Sequence, residues 1–221
     1  MKIIQILIAL CFFISLSAQD KIKVACVGDS ITFGVAIKDR VNNCYPAQLG
    51  KKLGDQWEVK NFGISGRTLL TKGNAPYVNS PQYKAALDFQ PDVVIIKLGT
   101  NDTKPQNWQH KKDYASDYKN LIQSFQKLES QPAIWLCKAV PVFPERWGIS
   151  DQIVQKEINP LVEAVAKEMG LPVIDLYTPL KNHPECFPDK VHPNAEGAKI
   201  MVDQIAPLLK KHSEKLPAVA E

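Results

Sequence analysis

Short apolar runs alternate along this chain with longer segments whose apolar residues recur at helical spacing. The short runs predict five β-strands, at residues 22–27, 57–61, 92–98, 133–140 and 172–176. The third contains Val93 to Ile96 without a polar residue between them, which is typical of a strand covered by helices on both faces.

Helices are predicted between these strands. Ser80 and Pro81 have the residue types of an N-cap and a first helical turn, and Pro91 ends that segment. An apolar stripe follows at residues 114–128, another helix runs from Ser150 to Gly170 with an interruption near Pro160, and a last stripe covers residues 198–209. Five alternations of strand and helix predict a three-layer α/β/α sandwich around a five-stranded parallel sheet.

The length and composition of the chain predict one folded domain. The 221 residues carry a net charge of +4, and the lysines are scattered rather than grouped on one stripe. We therefore interpret the basic residues as a solvated surface and expect no nucleic-acid partner. The sequence assigns no oligomeric state.

The N-terminus has the pattern of a targeting segment. Lys2 precedes an apolar run at residues 3–16, and small residues end it. The run is too short for a stable membrane span, so we predict a signal peptide at residues 1–18, followed by a single domain at residues 19–221. A lipid anchor on Cys11 is rejected because the large Leu10 precedes it. The mature protein is expected to be exported, either periplasmic or secreted, with no stable membrane anchor.

Four cysteines remain after that cleavage. Cys26 and Cys137 lie in apolar runs and are expected to behave as small core residues. A disulfide between Cys44 and Cys186 remains an open alternative, since export makes such a bond chemically possible. The cysteines and histidines lack metal-ligand spacing, so we expect no metal and no cofactor.

Polar motifs follow the strands at one edge of the predicted sheet. Gly28-Asp29-Ser30 comes after the first strand and Asn61-Phe62-Gly63 ends the second. Gly99-Thr100-Asn101-Asp102 follows the third, and residues 189–192 lie beyond the fifth. In folds of this class the ligand lies outside the carboxyl ends of the strands, so these motifs are expected to share one site.

These motifs resemble, in the same order, the signature blocks of the GDSL-type (SGNH) hydrolases. The blocks are Gly28-Asp29-Ser30, Gly63, Asn101 and Asp189-x-x-His192, with Ile31 in place of the leucine of the family name. The resemblance implies a flavodoxin-like hydrolase fold. The lipase-type motif G-x-S-x-G is absent, which argues against the α/β-hydrolase fold.

The residue chemistry agrees with that resemblance. Ser30 would be the nucleophile and His192 the base that removes its proton, with Asp189 orienting the imidazole. The resemblance implies an oxyanion hole made of the Ser30 N–H, the Gly63 N–H and the Asn101 side-chain amide. Asp29 and Asp102 are expected to hold loops rather than touch substrate.

Three further residues are candidates for substrate binding. Trp108 and Trp147 lie in loops expected to rim the site, where exposed indoles could stack on sugar rings or simply pack the loops. Arg67 could bind an anionic group or brace its loop. Lys97 and Lys138 lie within apolar strands, and the sequence offers no physical reason for them.

The sequence therefore predicts an exported serine esterase that removes short acyl groups. Its likeness to the secreted sialate-type and polysaccharide O-acetylesterases within the family implies that the acyl groups are O-acetyl groups on carbohydrates. One alternative is a lysophospholipase or acyl thioesterase on the same fold, which would need a long apolar groove. Another is a carbohydrate-binding protein that has lost catalysis.

Overall fold

A computed structural model describes residues 21–214. Its five strands are β1 (Ile22–Gly28), β2 (Trp57–Gly63), β3 (Val93–Lys97), β4 (Ala133–Cys137) and β5 (Val173–Ile174). All neighbouring strands are parallel, in the order β2-β1-β3-β4-β5. The predicted signal peptide lies outside the described residues.

Helices connect the strands. They are α1 (Ser30–Phe33), α2 (Arg40–Asn43), α3 (Tyr45–Leu53), α4 (Pro81–Asp88), α5 (Pro105–Trp108), α6 (Tyr114–Gln126), α7 (Asp151–Ile153), α8 (Asn159–Met169) and α9 (Ala195–Ser213). A π-helical turn, Val154–Ile158, joins α7 to α8 and places Pro160 in the first turn of α8. The interruption predicted near Pro160 is therefore a change of helix type rather than a break.

Alternating side chains of the sheet fill two separate cores. Ala25 and Val27 of β1 pack with α4, α6 and α8, whereas Val24 and Cys26 pack with α3 and α9. The same alternation holds in β3, all of whose residues are buried. Helices thus cover both faces of the sheet, which confirms the predicted three-layer α/β/α fold.

The predicted strands are all present, and the main difference concerns the end of β4. The prediction extended this strand to residue 140, but β4 ends at Cys137. The main chain of Ala139 bonds instead to the side-chain amide of Asn159, with Asn159 Oδ1 accepting at 2.8 Å and Nδ2 donating at 3.2 Å. A side chain of α8 therefore replaces a strand partner at this position.

The strand order places a topological switch point between β1 and β3, because the chain leaves β1 toward β2 and later returns to the other side. A crevice opens at the carboxyl ends of the strands at such a point. Among residues 21–214, no helix combines the length and the apolar character needed to cross a bilayer.

Candidate active site

Ser30, His192 and Asp189 form one continuous hydrogen-bonded chain. Nε2 of His192 lies 2.8 Å from Oγ of Ser30, and Nδ1 lies 2.7 Å from Oδ2 of Asp189. Since an ionised carboxylate only accepts hydrogen bonds, the neutral imidazole carries its proton on Nδ1 and presents Nε2 as the acceptor. This is the tautomer that a general base facing a serine hydroxyl requires.

The Asp189 carboxylate is held ionised by local contacts. Burial opposes its ionisation, but the main-chain N–H groups of His192 and Val191 and the imidazole all donate to it and lower its pKa. Oδ1 accepts both main-chain bonds, which leaves Oδ2 for the ring. The tight loop at residues 189–192 therefore fixes the direction of the imidazole.

The turn at Asp29 and Ser30, which carries the predicted nucleophile, begins where β1 ends. Asp29 is the N-cap of α1 and its Oδ1 accepts the N–H of Ile31 at 2.9 Å. Ser30 is 7 % exposed, and its own N–H has no acceptor among the described residues. A free N–H beside a buried serine is suited to bind the oxygen of a tetrahedral intermediate.

Lys97, unexplained by the sequence, lies beneath this turn at the end of β3. Its side chain is fully buried, and Nζ lies 3.2 and 3.1 Å from the two carboxylate oxygens of Asp29 and 2.7 Å from Oγ1 of Thr100. Burial lowers the pKa of Lys97, and the charge of Asp29 opposes that change. Lys138 differs because it pairs with Glu163 and Asp175 near the surface.

Asp102 joins two loops of the site. It is fully buried and accepts the N–H groups of Leu69 at 3.0 Å and Leu70 at 2.8 Å. Burial raises the pKa of Asp102 to about 7, although these two bonds favour the ionised form. Asp29 and Asp102 both hold loops, as predicted.

The N–H of Gly63, which was predicted as an oxyanion donor, is already bonded within the protein. Its N–H donates to Oδ1 of Asn61 at 2.9 Å, and Nδ2 of Asn61 donates to the Thr32 carbonyl at 2.8 Å. A Cβ on Gly63 would lie 2.3 Å from the Phe33 nitrogen. Gly63 is therefore needed for close packing of β2 against α1, a contact that cannot be read from the motif.

Asn101 contacts the loop that follows β2. Nδ2 of Asn101 donates to the Arg67 carbonyl at 3.1 Å, which leaves its second N–H without an acceptor among the described residues. In that loop Gly66 has φ +79°, and a Cβ there would meet no atom within 4 Å. Its N–H likewise has no acceptor in the described part of the chain. In the sequence, this position is marked only by being a glycine.

Trp147 lies beside the imidazole, at the tip of the loop after β4. Its ring centroid is 5.9 Å from that of His192, and the residue is 54 % exposed. Its φ of +55° is unusual for a bulky side chain and is followed by Gly148 at +75°. The Arg146 guanidinium, which the sequence analysis did not single out, lies 4.6 Å over the indole and 3.4 Å from the Asp189 carbonyl.

Trp108 is buried, so of the two roles left open for it the structure favours loop packing over an exposed indole at the rim. The residue is 7 % exposed and packs edge-on against Tyr114, with ring centroids 5.6 Å apart. Its Nε1–H donates to Glu157 at 3.1 Å. The loop after β3 coils into the short helix α5, which turns this side chain into the core.

The cysteines described by the structure, Cys26, Cys44, Cys137 and Cys186, are buried free thiols, so Cys44 and Cys186 are not paired. One group of potential metal ligands occurs in the described part of the chain, at His183, Glu185 and Cys186. Burial raises the pKa of the Cys186 thiol, which disfavours the thiolate that metals bind, and Nδ1 of His183 is already bonded to Glu185. This group does not fit a metal site well.

Comparisons with known proteins identify the family of the chain. The model of the GDSL-like Lipase/Acylhydrolase family matches residues 26–200. An acetylxylan esterase of Xylanibacter ruminicola is 43 % identical over 210 residues, covering 87 % of this chain and 44 % of that protein. A rice GDSL esterase/lipase is 25 % identical over 142 residues, covering 55 % of each chain. This chain thus spans about half the length of these relatives.

A solved structure supports the fold independently. A carbohydrate acetylesterase from Sinorhizobium meliloti superposes on this chain with a TM-score of 0.69 at 22 % identity. The superposition covers 87 % of this chain and 100 % of that one. At that identity the likeness concerns the fold alone. The family match covers most of the chain and includes the motifs that build the site. The chain therefore belongs to the GDSL-like lipase/acylhydrolase family of ester hydrolases.

Proposed function

We propose that this chain is an exported serine esterase that removes acetyl groups from carbohydrates. The observation that carries the proposal is the hydrogen-bonded relay from Ser30 Oγ through His192 to Asp189. Export rests on the sequence pattern at residues 1–18.

In this mechanism Ser30 Oγ attacks the ester carbonyl carbon while Nε2 of His192 takes the hydroxyl proton. The tetrahedral intermediate collapses, and the protonated imidazole returns that proton to the departing sugar oxygen. A water molecule then attacks the acetyl-serine while Nε2 of His192 takes its proton. The second intermediate collapses, Ser30 Oγ recovers that proton from the imidazole, and acetate leaves. Asp189 keeps the imidazole oriented and stabilises its charged form.

The oxyanion requires donors that are not already bonded. The Ser30 N–H and the second N–H of Asn101 meet this condition, and we assign the third position to the Gly66 N–H in place of Gly63. Gly66 lies next to Arg67, whose carbonyl already accepts from Asn101, and its missing side chain leaves room for substrate. Removing one such donor typically costs about 3–4 kcal/mol of transition-state stabilisation.

A carbohydrate acetyl ester fits the rim of this site. Trp147 offers an exposed indole next to the base, and flat aromatic faces suit the apolar faces of sugar rings. The 43 % identical acetylxylan esterase supports the acetyl and sugar parts of the substrate. The loop around Trp147 is otherwise polar, with Glu145 and Arg146 exposed beside it.

Acyl-chain length tests this proposal. We expect kcat/KM to be highest for p-nitrophenyl acetate and to fall by butyrate, and we expect acetate release from an acetylated glycan. A lipid-type groove would gain about 0.8 kcal/mol for each methylene it buries and would therefore favour octanoate strongly. Ser30→Ala serves as the blank for non-enzymatic hydrolysis.

Each alternative has its own outcome in this series. A maximum at octanoate would support the lysophospholipase or thioesterase instead. Inertness toward every ester, combined with retained glycan binding, would indicate a carbohydrate-binding protein without catalysis.

A further inference from the structure

The arginines of this chain differ from its lysines in their partners. Every ion pair among the described residues is made by a lysine or a histidine. The chain has only three arginines, Arg40, Arg67 and Arg146. Arg40 is engaged by the ring and the carbonyl of Phe33. The other two both belong to loops of the candidate site.

Arg146 is held in place by contacts other than an ion pair with an acidic side chain. Its guanidinium lies over the Trp147 indole at 4.6 Å, and Nη1 donates to the main-chain carbonyl of Asp189 at 3.4 Å. A guanidinium has five N–H donors in a planar fork, so most of them stay available. The result is an oriented cation one residue away from the indole that contacts His192.

Arg67, in the loop after β2, is a second cation without an acidic partner among the described residues. Its carbonyl accepts from Asn101, which places its backbone beside the proposed oxyanion hole. Its Nε is buried and has no hydrogen-bond partner among the described residues. A buried donor without a partner is costly unless something else binds it.

We infer that the site takes an acetylated sugar that carries a carboxylate, with Arg146 and Arg67 binding that carboxylate. Arginine is the side chain best matched to a carboxylate, because its fork pairs with both oxygens. Trp147 then lies against the ring of the acidic sugar, and the acetyl ester reaches Ser30. This inference rests on the proposed esterase function and adds the charge of the substrate.

A matched pair of substrates isolates this interaction. One is a methyl glycoside of glucuronic acid acetylated on its ring hydroxyls, and the other is its methyl ester, which has the same acetyl groups but no charge. We expect kcat/KM for acetate release to be about 10- to 100-fold higher for the acid, mainly through KM, which is the range for a charge-assisted pair. High salt should reduce this ratio.

In the variants we measure the ratio of kcat/KM for the acid to kcat/KM for its methyl ester. Arg146→Gln and Arg67→Gln should each lower it several-fold, and Arg146→Lys should retain part of it. Lys84→Gln is the control because it removes the same charge from α4, where Lys84 pairs with Asp88. If Arg146 only braced the Asp189 loop, its variants would slow both substrates equally and the ratio would not change.

Failure of the inference can be distinguished from failure of the proposed function. A wild-type enzyme that cleaves both substrates with a ratio near one overturns the carboxylate inference and leaves the esterase intact. A protein that releases acetate from neither substrate, nor from p-nitrophenyl acetate, overturns the esterase proposal itself.

Discussion

Asn101 is held by several contacts before any substrate binds. Its Nδ2 donates to the Arg67 carbonyl, and its own carbonyl accepts from Nδ2 of Asn107 at 2.8 Å. Asn101 is 4 % exposed. A donor fixed in this way needs no reorganisation when the oxyanion forms, so its contribution should appear mainly in the transition state.

Replacing Asn101 should therefore affect turnover more than binding. We expect Asn101→Ala to lower kcat by about 100- to 1000-fold with little change in KM, measured with p-nitrophenyl acetate. Asn101→Asp is the matched variant, because it keeps the shape but removes both N–H donors, and it should be equally impaired. A raised KM with unchanged kcat would make Asn101 a substrate-binding residue instead.

The sequence identified the residues of the relay but not every donor around them. Ser30, Asp189 and His192 were predicted from motif and order, and the structure brings them within hydrogen-bonding distance. The assignments of Gly63 and Trp108 could not have been checked from sequence. They depend on the Asn61 side chain and on the coiling of α5, which arise only when distant segments pack together.

At the scale of elements, β1 and β3 are joined by a buried ion pair as well as by the main-chain hydrogen bonds between the two strands. Gly28 of β1 is in register with Lys97 of β3, and the lysine side chain pairs with Asp29, the residue after Gly28. The strands themselves were predictable because their apolar runs have the right length and spacing. A lysine in such a run conflicts with that pattern, and only the position of Asp29 explains it.

Removing this lysine should destabilise the fold strongly. We expect Lys97→Met to cost about 3–5 kcal/mol of unfolding free energy, because it leaves the Asp29 carboxylate buried without its cation. The double variant Asp29→Asn/Lys97→Met should recover much of that loss, since the amide oxygen of an asparagine can still accept the N–H of Ile31 and cap α1. Urea unfolding measures all of these values.

Lys138→Met is the matched control for that experiment. Lys138 directly follows β4, but its ion pairs are partly exposed, so we expect a change within about 1 kcal/mol. Equal effects at the two lysines would contradict the role assigned to burial.

At the scale of the whole molecule, the buried Asp102 makes stability depend on pH. Its folded pKa of about 7 lies above the ordinary value of 3.8. Between these values the folded state binds a proton that the unfolded state has lost, so this residue makes the protein less stable as pH rises. The pKa of Asp189 is shifted in the opposite direction, so above about pH 5 Asp189 is ionised in both the folded and the unfolded state and adds no pH dependence there.

Comparison with Asp102→Asn isolates this effect. We expect the unfolding free energy of the wild type, relative to the variant, to fall between about pH 5 and about pH 8, because the variant has no proton to lose at this position. Urea unfolding of both proteins at about pH 5 and about pH 8 measures this difference in unfolding free energy. A relative stability that rises with pH would mean that the two N–H bonds from Leu69 and Leu70 outweigh burial.

The four buried thiols have a consequence for how unfolding can be followed. Burial raises the pKa of Cys137 to about 12 and also raises the pKa values of Cys26 and Cys186, so these three residues form little reactive thiolate in the folded protein. Cys44 is shielded from reagents because it is only 3 % exposed. In protein that begins at Gln19, a thiol reagent should label almost nothing until the chain opens, and should then label all four cysteines together. Rapid labelling of one of them in the absence of denaturant would instead reveal a local opening. The same shielding means that the folded enzyme should keep its activity under oxidising conditions without an added reductant.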